Sequence, residues 1–119
     1  MQQENKKESN ECIFCKIVKS EIPAEKVYED DNFLAIKDVN PKVKGHTLLI
    51  PKKHFRKVID LPSTIGTEML DALKKTTLKV MSENDSEGFN LAVVGEDVDH
   101  AHIHILPRKK DDNFKLFNS

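Results

Sequence analysis

The stretch that decides the fold is His100-Ala101-His102-Ile103-His104-Ile105-Leu106, in which histidine alternates with apolar residues. Alternation of this kind belongs to a β-strand, whose successive side chains leave on opposite faces. Three imidazoles then line one face at about 6.6 Å intervals, while Ala101, Ile103 and Ile105 turn the other way, into a core. A merely solvated strand face would be served as well by Thr, Lys or Glu, because histidine has no special strand propensity. Two chemistries use such a row. One is metal ligation, with two imidazoles of an H-x-H pair on one ion. The other is phosphate chemistry, in which a neutral imidazole attacks phosphorus and its neighbours donate to the oxygens. An unperturbed pKa of about 6.5 leaves the neutral, nucleophilic form abundant at pH 7.

Outward from this strand the elements alternate in type. Phe89 to Val94 reads as a strand before it, separated by a short loop at Gly95 to Asp99. Before that, Ser63 to Asn84 reads as the one long helix, with Met69, Leu70, Leu73, Thr77, Val80 and Met81 on one face. Ser63 or Thr64 is placed to cap its start and Gly88 lies just past its end. Val27 to Glu29 and Phe33 to Asp38 read as a hairpin around Asp30-Asp31-Asn32, and Gly45 to Ile50 as a further strand closed by Pro51. Pro107 closes the last strand. Ile13 to Lys19 predicts a short helix ending ahead of Pro23. The polar residues 1–11 read as a disordered tail, residues 12–112 as one domain, and 113–119 as a C-terminal tail. The class is α+β: five antiparallel strands with one main helix and a short N-terminal one.

Composition narrows the partners. Of 119 residues, 19 are Lys or Arg and 20 are Asp or Glu, a formal net charge of −1. No global field draws such a chain to a nucleic acid polymer or an anionic membrane, so any phosphate is met by local geometry. The apolar runs are too short to span a bilayer, and MQQENKKESNE has no apolar segment of the signal-peptide kind, so a cytoplasmic location is expected. Cys12 and Cys15 stand at C-x-x-C spacing, which in a reducing compartment suggests a metal-ligand pair or a redox motif. Two ligands do not complete a zinc site.

HAHIHIL, together with CIFCKIVKSEIPAEKVYEDDNFLAIKDVNPKVKGHTLLIPKKH (residues 12–54) and HILPRKKDDNF, resembles the histidine-triad (HIT) superfamily of nucleotide hydrolases and transferases, in its Hint-like branch with C-x-x-C. The likeness runs from about Glu11 to Asp112. It implies a nucleophilic His102 that forms a covalent nucleotidyl-histidine at the α-phosphate, with His104 and His46 bonding the phosphate oxygens. It also implies Asp38 on the ribose hydroxyls, an apolar base pocket from Phe14, Ile17, Ile22, Ile36 and Val39, and phosphate contacts at the turn carrying Gly95 and Val98. A structural Zn2+ on Cys12, Cys15, His54 and His100 is implied as well. So is a homodimer whose sheets join into ten strands.

The same resemblance implies purine nucleoside phosphoramidates or dinucleoside polyphosphates as substrates. Glu96 and Asp97 depart from the family pattern, which commonly has a neutral amide and a hydroxyl there. Carboxylates repel a polyphosphate, so the backbone of that turn is left to serve. Two other readings stand beside the enzyme: a nucleotide-binding scaffold with little catalysis, and a hydrolase with catalytic zinc on the triad.

Overall fold

The computed structural model describes residues 12–96 and 98–116. The expected tail at residues 1–11, Asp97 and residues 117–119 lie outside the described residues. The chain runs through helix α1 (Ile13–Val18), strands β1 (Lys26–Glu29), β2 (Phe33–Lys37) and β3 (Thr47–Pro51), and two 3₁₀ turns (Val58–Asp60 and Ser63–Ile65). Helix α2 (Gly66–Glu83) and strands β4 (Gly88–Ala92) and β5 (Ile103–Arg108) complete it. One antiparallel sheet results, in the order β1-β2-β3-β5-β4.

Both sheet faces are covered, which explains why β2 and β3 carry almost unbroken apolar runs rather than alternation. On one face Phe33, Ala35, Leu49 and Ile105 meet Ala72 and Val80 of α2. On the other, Leu34, Ile36, Leu48 and Ile50 meet Phe14 and Ile17 of α1. Each large side chain buried here contributes roughly 1.5–3 kcal/mol. The hairpin turn is closed by Asp30, whose Oδ1 accepts from the Asn32 and Phe33 amides at 2.8 and 2.7 Å. That is the Asx turn expected of such a residue.

The structure moves several expected boundaries. Helix α2 starts at Gly66, not Ser63; residues 63–65 form a 3₁₀ turn, and no side chain bonds the helix start. Its core face is Met69, Ala72, Leu73, Thr76, Thr77 and Val80, whereas Leu70 is 54% exposed. Small residues were overlooked because hydropathy alone does not register a close helix–sheet approach. Gly88 is not the residue that ends the helix. Asp85 takes the left-handed position at φ 51°, with the Ser86 amide on the Met81 carbonyl at 3.0 Å. Helix α1 stops in the same way, with Ser20 at φ 63° and the Glu21 amide on the Lys16 carbonyl at 2.8 Å. Both are Schellman endings built without glycine.

Strand β5 begins at Ile103, three residues later than expected, and runs through Pro107 to Arg108. Pairing with β3 stops at Leu49–Ile103 because the Ala101 amide leaves the ladder for the Phe55 carbonyl, at 2.6 Å. At the other end β3 pairs no further than Ile105, so Pro107 faces β4 alone and its missing N–H interrupts no β3 bond. Pro51 is likewise the last residue of β3 rather than its stop. Beyond β5, Arg108 holds both carboxylate oxygens of Asp112, at 2.6 and 2.9 Å, and the Phe114 carbonyl.

Candidate active site and metal centre

The histidine face of β5 is the α1 face of the sheet, because His104 stands opposite Leu48 in the β3 ladder. Phe14 of α1 lies edge-on to both His100 and His102, with ring centroids 5.7 and 5.4 Å away. A short helix thus braces two members of the row. His102 and His104 are themselves edge-to-face at 5.0 Å.

His102 is buried, and its Nδ1 lies 2.8 Å from the His100 carbonyl. A carbonyl only accepts, so Nδ1 carries the proton and the lone pair sits on Nε2. This is the tautomer that nucleophilic attack through Nε2 requires. The bend that takes His100 and Ala101 out of the strand supplies that carbonyl.

His46 is fixed from the opposite side. The Lys42 amide donates to its Nδ1 at 3.1 Å, which puts the ring proton on Nε2, and Nε2 lies 2.9 Å from His104 Nδ1. His46 therefore donates and His104 accepts, which places the His104 proton on its own Nε2. Burial holds His46 below the ordinary imidazole value, against the upward pull of Asp38. Asp38 Oδ2 is 3.5 Å from His46 Nε2, and its Oδ1 accepts from the Asn40 amide at 2.8 Å. Asp38, His46 and His104 bring one ligand atom each within 4.8 Å of one another. That arrangement is still a poor cation site. A metal on Nε2 of His46 would need a proton on Nδ1, where the Lys42 N–H already points.

The second cluster has the opposite polarity. Cys12, Cys15, His54 and His100 present ligand atoms within 4.8 Å of one another. His100 Nδ1 is 3.2 and 3.5 Å from the two sulfurs, and His54 Nδ1 is 3.1 Å from Cys15 Sγ. The far nitrogen of His100 donates to the Pro51 carbonyl at 2.9 Å, leaving Nδ1 with its lone pair toward the sulfurs. Burial lowers the His100 pKa to about 4, so the ring is neutral. The Cys15 amide donates to Cys12 Sγ at 3.3 Å and fixes its position. Two sulfurs, two imidazoles and a carbonyl behind one ring fit a closed tetrahedral Zn2+.

Phe14, Ile17 and Ile36 are buried in the apolar cluster beneath α1, with Ile22 half-buried against it. Val39, beside Asp38, is 87% exposed. Val98 packs on the same cluster, and Gly95 and Val98 line one cleft with His102. Sequence reasoning missed the Lys42 amide and the Pro51 and His100 carbonyls, because backbone groups leave no mark in residue type. It also missed Arg56, whose Nε lies 2.8 Å from Asp99 Oδ2, 43 positions away.

The HIT domain family model matches residues 19–111. An uncharacterised HIT-like protein of Methanocaldococcus jannaschii is 42% identical over 106 residues, covering 85% of this chain and 81% of that protein. An adenylylsulfatase of Arabidopsis thaliana is 39% identical over 108 residues, covering 87% of this chain and 55% of its own. An adenosine 5'-monophosphoramidase of Saccharomyces cerevisiae is 36% identical over 107 residues, covering 84% and 64%. Among solved structures, a Streptococcus mutans protein superposes with TM-score 0.86 at 36% identity, over 92% of this chain and 73% of that one. A HIT family member of Bacillus subtilis does so with TM-score 0.81 at 35% identity, over 91% and 81%.

Proposed function

Because this chain belongs to the HIT family, we propose that it is a nucleotide hydrolase or transferase that cleaves at an α-phosphate through a covalent nucleotidyl intermediate on His102. The observation that carries this reading is the hydrogen bond from His102 Nδ1 to the His100 carbonyl, 2.8 Å long. It aims a lone pair, not a proton, along Nε2. The substrates are purine nucleoside phosphoramidates or dinucleoside polyphosphates. Relatives described as an adenylylsulfatase and an adenosine 5'-monophosphoramidase support chemistry at a nucleotide phosphate.

His102 attacks the α-phosphorus, the leaving group departs, and water releases the nucleoside monophosphate. The Nε2 proton of His104 serves the phosphate oxygens, and when substrate enters the Nε2 proton that His46 holds toward His104 turns to them as well, where charge grows in the transition state. Asp38 receives the ribose hydroxyls, with which His46 then stops sharing it. The base lies over the floor formed by Phe14, Ile17 and Ile36 and covers Ile22 and Val39, while the backbone at Gly95 and Val98 meets phosphate.

Cys12, Cys15, His54 and His100 would hold a structural Zn2+, whose contribution is to fasten α1 to the residue that orients His102. Four protein donors leave no position for a water, which favours this reading over a hydrolase with catalytic zinc. Thiol ligands suit a reducing cytoplasm. Among the described residues, no helix is long and apolar enough to cross a membrane.

A homodimer is part of the same proposal. Strand β4 is a sheet edge, and Phe89, Leu91 and Val93 on or beside it are 48%, 40% and 54% exposed. Pairing two β4 edges would cover them and give one sheet of ten strands. The deciding experiment mixes the protein with a phosphoramidate or a dinucleoside polyphosphate, quenches, and looks by mass spectrometry for a nucleotidyl adduct on His102. No adduct and no turnover above a His102→Ala control would leave the scaffold reading in its place.

A further inference from the structure

C-x-x-C spacing serves two chemistries, metal ligation and redox, and the proposed zinc site uses only the first. Neither Cys12 nor Cys15 is in a disulfide; Cys12 is half-buried and Cys15 is buried. Cys12 stands just ahead of α1 and Cys15 lies in its first turn. Their sulfurs lie within 4.8 Å of each other. Both face a single atom, His100 Nδ1, which is 3.2 Å from Cys12 Sγ and 3.5 Å from Cys15 Sγ. This is the spacing at which redox enzymes open and close a disulfide.

His100 ties the pair to the nucleophile. Its ring faces the sulfurs, while its backbone carbonyl lies 2.8 Å from His102 Nδ1 and accepts that proton. The same bond leaves the His102 lone pair on Nε2. Phe14, between the two cysteines in sequence, adds a second link, edge-on to His100 and His102 with ring centroids 5.7 and 5.4 Å away. A movement of residues 12–15 therefore reaches His102 by two routes, one through a ring contact and one through a backbone carbonyl.

From this juxtaposition we infer that Cys12 and Cys15 are a site of reversible oxidation, closed to a disulfide by hydrogen peroxide, and that closure releases the His100 ring and slackens the hold on His102. The inference rests on the nucleotidyl-histidine reading and adds a control on it.

The chemistry balances with hydrogen peroxide as the one co-reactant. The Cys12 sulfur, the more exposed of the two, attacks one peroxide oxygen. The oxygen–oxygen bond breaks, and the other oxygen leaves as water with the thiol proton. The Cys15 sulfur then attacks the Cys12 sulfur, the sulfur–oxygen bond breaks, and a second water leaves with the Cys15 proton. Two thiols have given up two electrons, and one peroxide has become two waters. In the metal-loaded protein the sulfurs carry the ion instead of those protons, so two hydroxides and the ion leave in their place. A disulfide retains no thiolate, and the two imidazoles left do not complete a zinc site. A dithiol reverses the oxidation by exchange.

The test treats the full-length, Zn2+-loaded protein with hydrogen peroxide. Peptide mass spectrometry reads a Cys12–Cys15 crosslink, a chromogenic chelator reads released ion, and nitrogen NMR reads the tautomer of the His102 ring. The rate of adduct formation on His102 from a phosphoramidate is followed alongside, with circular dichroism to report the sheet. Expected are the crosslink, one equivalent of ion, partial loss of the Nδ1–H tautomer and a rate about tenfold lower, as when an orienting partner of a functional histidine is lost. Dithiothreitol with added Zn2+ should restore the starting state, which methionine oxidation would not allow. Absence of the crosslink, or ion retained under peroxide, overturns the inference. So does a crosslinked, metal-free protein whose tautomer and rate are unchanged, or one whose sheet signal has been lost. If the untreated protein forms no adduct, the nucleotidyl reading fails instead, and the crosslink, the ion and the ring spectrum still decide whether oxidation reaches His102.

Discussion

In the cysteine–histidine cluster, His100 gives its Nε2 proton to the Pro51 carbonyl and turns Nδ1 toward the two sulfurs. In the neighbouring cluster, His46 accepts the Lys42 amide on Nδ1 and turns an Nε2 proton toward His104. The rings are chemically identical and both are buried. The backbone group behind each ring makes the difference: a carbonyl leaves a lone pair in front, as a metal requires, and an amide leaves a proton in front, as a phosphate oxygen requires. His102 belongs with the first kind, but with its nitrogens exchanged, since its carbonyl partner holds Nδ1 and the lone pair emerges at Nε2.

The largest expected effect separates the clusters by what each supports. Cys15→Ala removes one of four donors and should cost about 3 kcal/mol in the metal-loaded protein, lowering the melting temperature by about 10 °C. Calorimetry with metal analysis reads both the melt and the lost ion. His102→Ala should do the reverse, ending turnover while melting within a few degrees of the unsubstituted protein. A Cys15→Ala variant that keeps its melting temperature and its metal would break the comparison.

Next in size is His46→Asn, which keeps an acceptor for the Lys42 amide but removes the donor that faces His104. Loss of one such donor is expected to lower kcat about 100-fold. It should also change how stability depends on pH. Burial holds His46 below the ordinary value of 6.5 in the folded protein. As pH falls below that value, the unfolded chain takes up a proton that the folded ring refuses, so stability present above it is lost. Between about pH 7 and pH 5.5, the urea midpoint of His46→Asn should therefore fall less than that of the unsubstituted protein. Parallel midpoints in the two proteins would mean that the ring is not held neutral by its surroundings.

How far this polarity was legible follows from its cause. The alternation around His102 declared a two-faced strand, and both clusters were expected from the resemblance to the histidine-triad superfamily rather than from residue positions alone. The sheet order and the cover on both faces were not read from the sequence, although apolar runs such as Thr47 to Ile50 carry the mark of a doubly covered sheet. The bend at His100 and Ala101 was not legible, because it depends on Phe55 offering a carbonyl 46 positions upstream. Nor was the pairing of Asp99 with Arg56, an ordinary surface charge each in sequence. Residue types announce which groups are present; the partner behind each ring is settled only by the folded chain.

The smallest effect tests whether the two clusters are mechanically independent. Gly45, next to His46, sits at φ +90°, and a Cβ there would lie 2.4 Å from Asn84 Nδ2. Asn84 is held in place by its bond to the Val80 carbonyl, 2.8 Å long. Gly45→Ala should therefore cost about 1–2 kcal/mol in left-handed strain, with the collision added. Asn84→Ala relieves only the collision, so the double variant should be more stable than the two single losses predict, as coupled neighbours are. Thr47 Oγ1 bonds the Gly45 carbonyl at 2.8 Å, and the His46 amide bonds the Val43 carbonyl at 3.1 Å. Displacement at Gly45 thus passes to His46, just ahead of β3, whereas His100 lies ahead of β5. Gly45→Ala should lower kcat several-fold while the bound metal stays at its full equivalent. Metal lost together with activity would mean that the sheet between the clusters transmits the strain, and that their opposite polarities are not independently held.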